Sequence, residues 1–141
     1  MRFIAMVKGN RFTESGAPPP LELLEAMEKY NEELAKAGVL LAGEGLQPTS
    51  KGARIRFSGG KRTVIDGPFA ESKEVIAGFW MIQAKSKAEA IEWIKRSPHP
   101  FGDGDAEIEI RQVYEPVDFG PEIEESEEAL RDQLQAQVAR K

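Results

Sequence analysis

Apolar and polar positions along the chain follow two periods, and the switches between them mark out the elements. Arg2–Lys8 alternates, with Phe3, Ala5 and Val7 on one side and Ile4 and Met6 on the other. Apolar residues on both faces predict a central strand, buried twice. Gly9–Ala17 reads as a polar loop, and Pro18, Pro19 and Pro20 then set the start of a helix. In it Leu23, Met27, Tyr30, Leu34 and Ala37 recur every three or four residues against a charged opposite face, and Gly38 supplies a left-handed stop. Val39–Leu46 is a second strand whose Gly43 and Gly45 leave one face bare, open to a backbone or a ligand. Ala53–Phe57 and Arg62–Asp66 flank Ser58-Gly59-Gly60-Lys61, a hairpin signal. A Gly-Gly turn sets Ile55 opposite Val64, with Arg54 and Arg56 on the other face. Val75–Ala84 is again apolar enough for a central strand. Ser86-Lys87-Ala88-Glu89 is a capping box that opens a helix running to about Ser97, ahead of Pro98. Glu107–Tyr114 alternates as a last strand with one wetter face.

The order is β-α-β, a hairpin, then β-α-β. Two right-handed β-α-β units packed together predict an α+β, ferredoxin-like antiparallel sheet with both helices on one face. The other face carries apolar side chains from the first and fifth strands and needs a cover, for which a second copy is the simplest source. The expectation is therefore a homodimer. The domain is expected to span 1–120. A tail over 121–141 follows, with Ile123, Glu127, Leu130, Leu134 and Val138 at helical spacing. Such a helix is marginal alone and calls for a packing surface.

Charge and composition narrow the chemistry. Most of the net charge of -5 falls in the tail, which leaves a nearly neutral body. One basic cluster stands out, Lys51, Arg54, Arg56, Lys61 and Arg62, with no acid among them. It suits a solvated hairpin or a small anion-facing patch and is too small for a nucleic-acid surface. The absence of cysteine removes disulfides, thiolate zinc sites and cysteine nucleophiles. With a single histidine, His99, no metal site is expected. No phosphate loop, serine elbow or dinucleotide fingerprint occurs, and no cofactor is expected. The apolar start ends at Lys8, too short for a signal or membrane segment, so the expected location is cytoplasmic, away from membranes.

The most distinctive run is Asp66-Gly67-Pro68-Phe69-Ala70-Glu71-Ser72-Lys73-Glu74, a sharp turn after a strand. It resembles the signature of the YCII-related domain family, in its DGPF-motif branch. Leu40–Leu46, Gly78-Phe79-Trp80, Trp93 with Arg96-Ser97-Pro98, and Glu107–Arg111 agree in order, so the resemblance runs from Met1 to about Gly120. It implies a ferredoxin-like domain whose sheets pair as a dimeric α+β barrel. The wider superfamily includes cofactor-free monooxygenases and lactone isomerases acting on small, often aromatic, molecules. Branch members are often encoded beside alternative sigma factors, which implies a third role as a non-catalytic accessory protein. Compact relatives carry a helix histidine paired with an aspartate. Met27 stands at that position here, so that proton-transfer pair does not carry over.

Two main functions remain on these grounds. The first is a homodimeric binder of an unknown small molecule, with Tyr30, Phe69, Trp80 and Met81 lining the pocket and Asp66, Gly67, Arg54 and Arg56 shaping its polarity. The second is a cofactor-independent lyase, isomerase or oxygenase using Asp66 or His99 as its acid–base group.

Overall fold

The computed structural model describes residues 1–71 and 74–139. Ser72 and Lys73 of the motif run, and Arg140 and Lys141 of the tail, lie outside the described residues. Four strands form the main sheet: β1 (Arg2–Lys8), β2 (Leu40–Gly45), β5 (Ile76–Gln83) and β6 (Ile108–Gln112). Their order is β2-β5-β1-β6, with every pair antiparallel, which is the ferredoxin-like arrangement. The long helices α2 (Leu21–Lys36) and α3 (Lys87–Lys95) cover one face. There Tyr30, Leu34, Ala90 and Ile94 meet Phe3, Ala5, Trp80 and Ile82 in a single core. Gly38 ends α2 at φ 72°, and the Ser86 hydroxyl accepts the Glu89 N–H to open α3.

The opposite sheet face carries Ile4, Met6, Phe79 and Met81, all half-buried. In register, Ile4 lies across from Met81 and Met6 from Phe79. Glu109 and Arg111 extend this face onto β6. Its centre is apolar and its margin charged.

The loop over 9–17 contains an element that the polar pattern does not suggest, the short helix α1 (Arg11–Glu14). The Asn10 side chain accepts the Thr13 N–H, while the Thr13 hydroxyl accepts the Asn10 N–H. This reciprocal pair closes a single turn without any apolar periodicity. At β2, the bare side of Gly43 is occupied by the molecule itself. A Cβ there would lie 2.9 Å from Trp80 Cδ1, so the indole fills the space the missing side chain leaves.

The hairpin is a separate two-stranded ribbon, β3 (Ala53–Ser58) and β4 (Lys61–Asp66), inserted between β2 and β5. Gly59 and Gly60 turn it at φ 57° and 76°, and Ile55 pairs with Val64. Every residue of both strands is exposed. The chain closes with a 3-10 turn, Pro116–Phe119, and the helix α4 (Pro121–Ala139). Arg2 Nε donates to Glu115 Oε1 at 2.8 Å, and Arg131 of α4 approaches the same carboxylate at 3.8 Å. The hydrogen bond from Arg2 holds Glu115 below its ordinary carboxylate range. No helix among the described residues is long and apolar enough to cross a membrane.

Tyr30 gives the core a pH limit. Its hydroxyl donates to the Trp93 carbonyl at 2.6 Å, and burial pushes its pKa from 10.0 up to about 12. The neutral phenol is therefore the form that the fold favours. Its contribution is complete below pH 10 and is lost as the pH climbs towards 12. Urea midpoints measured across this window should fall steeply for the parent protein and less steeply for Tyr30→Phe. Equal slopes would show that Tyr30 does not set the alkaline limit.

Candidate functional site

The hairpin joins the sheet at the Lys8 end of β1, and its base is tied down by a short network. Glu14 of α1 accepts both the Thr49 hydroxyl and, at 3.2 Å, the Thr49 N–H. The same hydroxyl accepts the Phe69 N–H at 3.0 Å, and Gly67 N–H donates to the Gly52 carbonyl at 3.0 Å. The Gly67–Pro68 peptide is cis. Gly67 presses so closely on the linker that a Cβ would fall 1.7 Å from the Thr49 carbonyl oxygen. The motif turn is thus buttressed from α1 through Thr49.

Beside this buttress opens a cleft of about 410 Å³, a size suited to a small ligand. Leu46, Val75 and Ile76 give it an apolar side; Lys51, Arg54, Phe69 and one carboxylate, Glu74, bound it elsewhere. The Arg54 guanidinium lies 3.7 Å from the Phe69 ring centroid, a cation stacked on an aromatic face. Among the described residues, Arg54 has no carboxylate partner. A stacked guanidinium keeps its edge N–H donors directed outward, the geometry that suits a carboxylate or phenolate oxygen.

The other residues singled out in the sequence are scattered. Asp66 pairs across the ribbon with Ala53 and so shares the face of Ile55 and Val64, while Arg54 and Arg56 occupy the other face. Arg56 is exposed further out along the ribbon. Tyr30 and Trp80 meet edge to face, with ring centroids 5.6 Å apart, inside the core. Trp80 Nε1 donates to Asn31 Oδ1 at 2.7 Å, which satisfies the indole without a ligand. Met81 lies on the far side of the sheet from both. Of the eight ligand-binding candidates, Arg54, Gly67 and Phe69 come together at the cleft and its buttress.

His99 belongs to a second, wider cleft of about 960 Å³ between α3, β6 and the loop joining them. Its Nδ1 accepts the Phe101 N–H at 3.1 Å, which leaves Nε2 as the donor to the Gly104 carbonyl at 2.8 Å. The imidazole closes its own loop with both nitrogens. No group of three or more potential metal ligands occurs among the described residues. Thr49 and Glu14, which hold the motif in place, carry no signal in the sequence; nothing in the spacing links position 14 to position 49.

Comparison with known proteins agrees with this chain over most of its length. The family model described as "YCII-related domain" matches residues 1–115. An uncharacterised protein of Rhizobium meliloti (strain 1021) is 34% identical over 95 residues, covering 66% of this chain and 73% of that one. Among solved structures, 5-chloro-2-hydroxyhydroquinone dehydrochlorinase from Burkholderia phenoliruptrix AC1100, in complex with 2,5-dihydroxybenzoquinone, aligns with 82% of this chain and 95% of its own. That alignment has a TM-score of 0.47 and 14% sequence identity. On the family match and the curated relative, the chain belongs to the YCII-related domain family.

Proposed function

We propose that the protein is a homodimeric small-molecule-binding protein whose ligand occupies the cleft at the hairpin base. The ligand class is a small anion with a flat apolar part. The observation that carries this reading is Arg54, stacked on Phe69 at the cleft wall with its donors unclaimed by any described carboxylate. Lys51 adds a second cation to the lining, and Leu46, Val75 and Ile76 offer an apolar seat for the remainder of the guest. Pairing through the half-buried Ile4, Met6, Phe79 and Met81 face supports the dimer, since a contiguous apolar sheet face favours a cover. The alternative, a cofactor-independent enzyme, draws less support. Asp66 lies on the ribbon face away from Arg54, and both His99 nitrogens are engaged by backbone.

A melting-shift screen of small aromatic carboxylates and phenols tests the site. Arg54→Ala should leave the unliganded melting temperature nearly unchanged and weaken binding of any hit roughly 10–100-fold, the worth of charged hydrogen bonds. Hits that bind this variant as tightly as the parent would place the ligand elsewhere. Sedimentation of the parent at micromolar concentration checks the dimer, and a purely monomeric boundary would remove it.

A further inference from the structure

Two parts of the molecule stand uncovered, and they are complementary. The ribbon β3–β4 exposes Ile55 (60%), Phe57 (68%) and Val64 (64%) on one face. Two strands alone are marginal in water, and both outer edges of this ribbon are unpaired among the described residues. From Lys51 to Asp66 it carries five cations against one acid. The helix α4 has the opposite character. It contains six acids against one cation, Arg131, and it exposes Leu130 (54%), Leu134 (51%) and Val138 (71%) on one stripe. Each is an apolar strip edged by charge, and the charges have opposite sign.

Their positions in the fold make the match intermolecular. The ribbon leaves the sheet where Gly45 of β2 lies beside Gly78 of β5, the end that also holds Val7 of β1. The tail leaves from the other end, where Phe3 pairs with Gln112 and Arg2 bonds Glu115. Within one chain the two strips leave the sheet at opposite ends of its strands. A twofold axis lying between two sheets packed through their open faces, parallel to the sheets and perpendicular to the strands, brings the ribbon end of one copy to the tail end of the other. The axis makes this contact twice and closes the assembly. A 19-residue helix of about 28 Å is long enough to lie along a six-residue ribbon of about 20 Å.

We infer that the β3–β4 ribbon of one protomer docks on the C-terminal helix of a second copy, its Ile55, Phe57 and Val64 against Leu130, Leu134 and Val138. Arg62, already stacked 5.0 Å over Phe57, and the neighbouring cations meet the acidic flanks of the helix. This rests on the homodimer proposed above, and it assigns that dimer a second pair of contacts outside the sheet faces. Because the ribbon base forms the Arg54 cleft, the partner's helix also steadies one wall of the ligand site.

The chain has no cysteine, so introduced thiols are the only ones present. Phe57→Cys chains are mixed with chains carrying Leu130→Cys, Leu134→Cys or Val138→Cys and treated with a short bismaleimide. A covalent two-chain product joining position 57 to a tail position, formed in the mixture and weakened several-fold at high salt, is the expected result. Three tail positions keep the test independent of the helical register, and all four sites are exposed enough for cysteine to leave folding unaffected. A chain bearing both Phe57→Cys and Leu134→Cys that closes on itself as a monomer would overturn the inference. So would a sedimenting dimer that yields no 57-to-tail product, and in that case the sheet-face dimer survives on its own. A protein that sediments only as monomer removes both.

Discussion

Gly67→Ala lowers stability by about 3 kcal/mol, at the upper end of what overpacking does, with a fall in melting temperature on the order of 10 °C. The cause is local and unambiguous. The added methyl carbon would sit 1.7 Å from the Thr49 carbonyl oxygen and 2.6 Å from its carbonyl carbon, both backbone atoms. Neither can rotate aside. The linker must shift as a whole, and it is held by Glu14 through two contacts to Thr49. Moving it also pulls the Thr49 hydroxyl from the Phe69 N–H and displaces the ring beneath Arg54. The variant should therefore lose ligand affinity as well as stability. Gly45→Ala is the matched control, since a Cβ there meets nothing within 4 Å; its melting temperature should stay within about 2 °C of the parent. Equal melting temperatures for the two variants would show that the motif turn is free of the linker.

Trp80→Ala is the second large effect, a loss of about 3–5 kcal/mol read as a shift in urea midpoint by circular dichroism. The indole is 6% exposed and plugs the space beside Gly43. It also holds Tyr30 edge to face and donates to Asn31. Alanine opens a cavity bounded by the sheet and α2 and leaves the Asn31 acceptor without its donor. Trp80→Phe restores much of the volume but not the hydrogen bond, and should fall between the two. Any ligand found at the hairpin cleft should still bind folded Trp80→Phe, because the indole contacts the core and not the cleft. A variant that keeps its stability and loses binding would instead make Trp80 a site residue.

What could be read from the sequence divides along physical lines. The β3–β4 register was legible because Gly59-Gly60 admits one tight turn, and that turn sets Ile55 against Val64. The α3 start was legible because the Ser86 hydroxyl caps the Glu89 N–H three residues on, although the Glu89 carboxylate accepts the Lys85 N–H and not the Ser86 N–H that a full capping box would use. Helix α1 was not, since its reciprocal bonds between Asn10 and Thr13 leave no apolar period to detect. The site shows the same division. Phe69 and Arg54 could be singled out as a conspicuous aromatic and a local cation, but their stacking depends on a turn fixed by Glu14, a residue 55 positions before Phe69 in the chain. Tyr30 and Trp80 looked available for a guest because composition shows aromatics and not their partners. In the fold the two rings pack on each other, and their donors are taken by the Trp93 carbonyl and Asn31.

The placement of β1 has a consequence for biosynthesis. It lies between β5 and β6 in the finished sheet, yet both neighbours follow it late, starting at Ile76 and Ile108. The segment Phe3-Ile4-Ala5-Met6-Val7 therefore emerges from the ribosome well before either pairing partner exists. Its first pairing must close a loop of about 70 residues, the kind of non-local step that slows folding. Until then five consecutive apolar residues with strand propensity stay open to other nascent chains. Holding chaperones should therefore matter more before β5 is made than after it, and slower translation before β5 would prolong the exposure instead of helping the sheet to form.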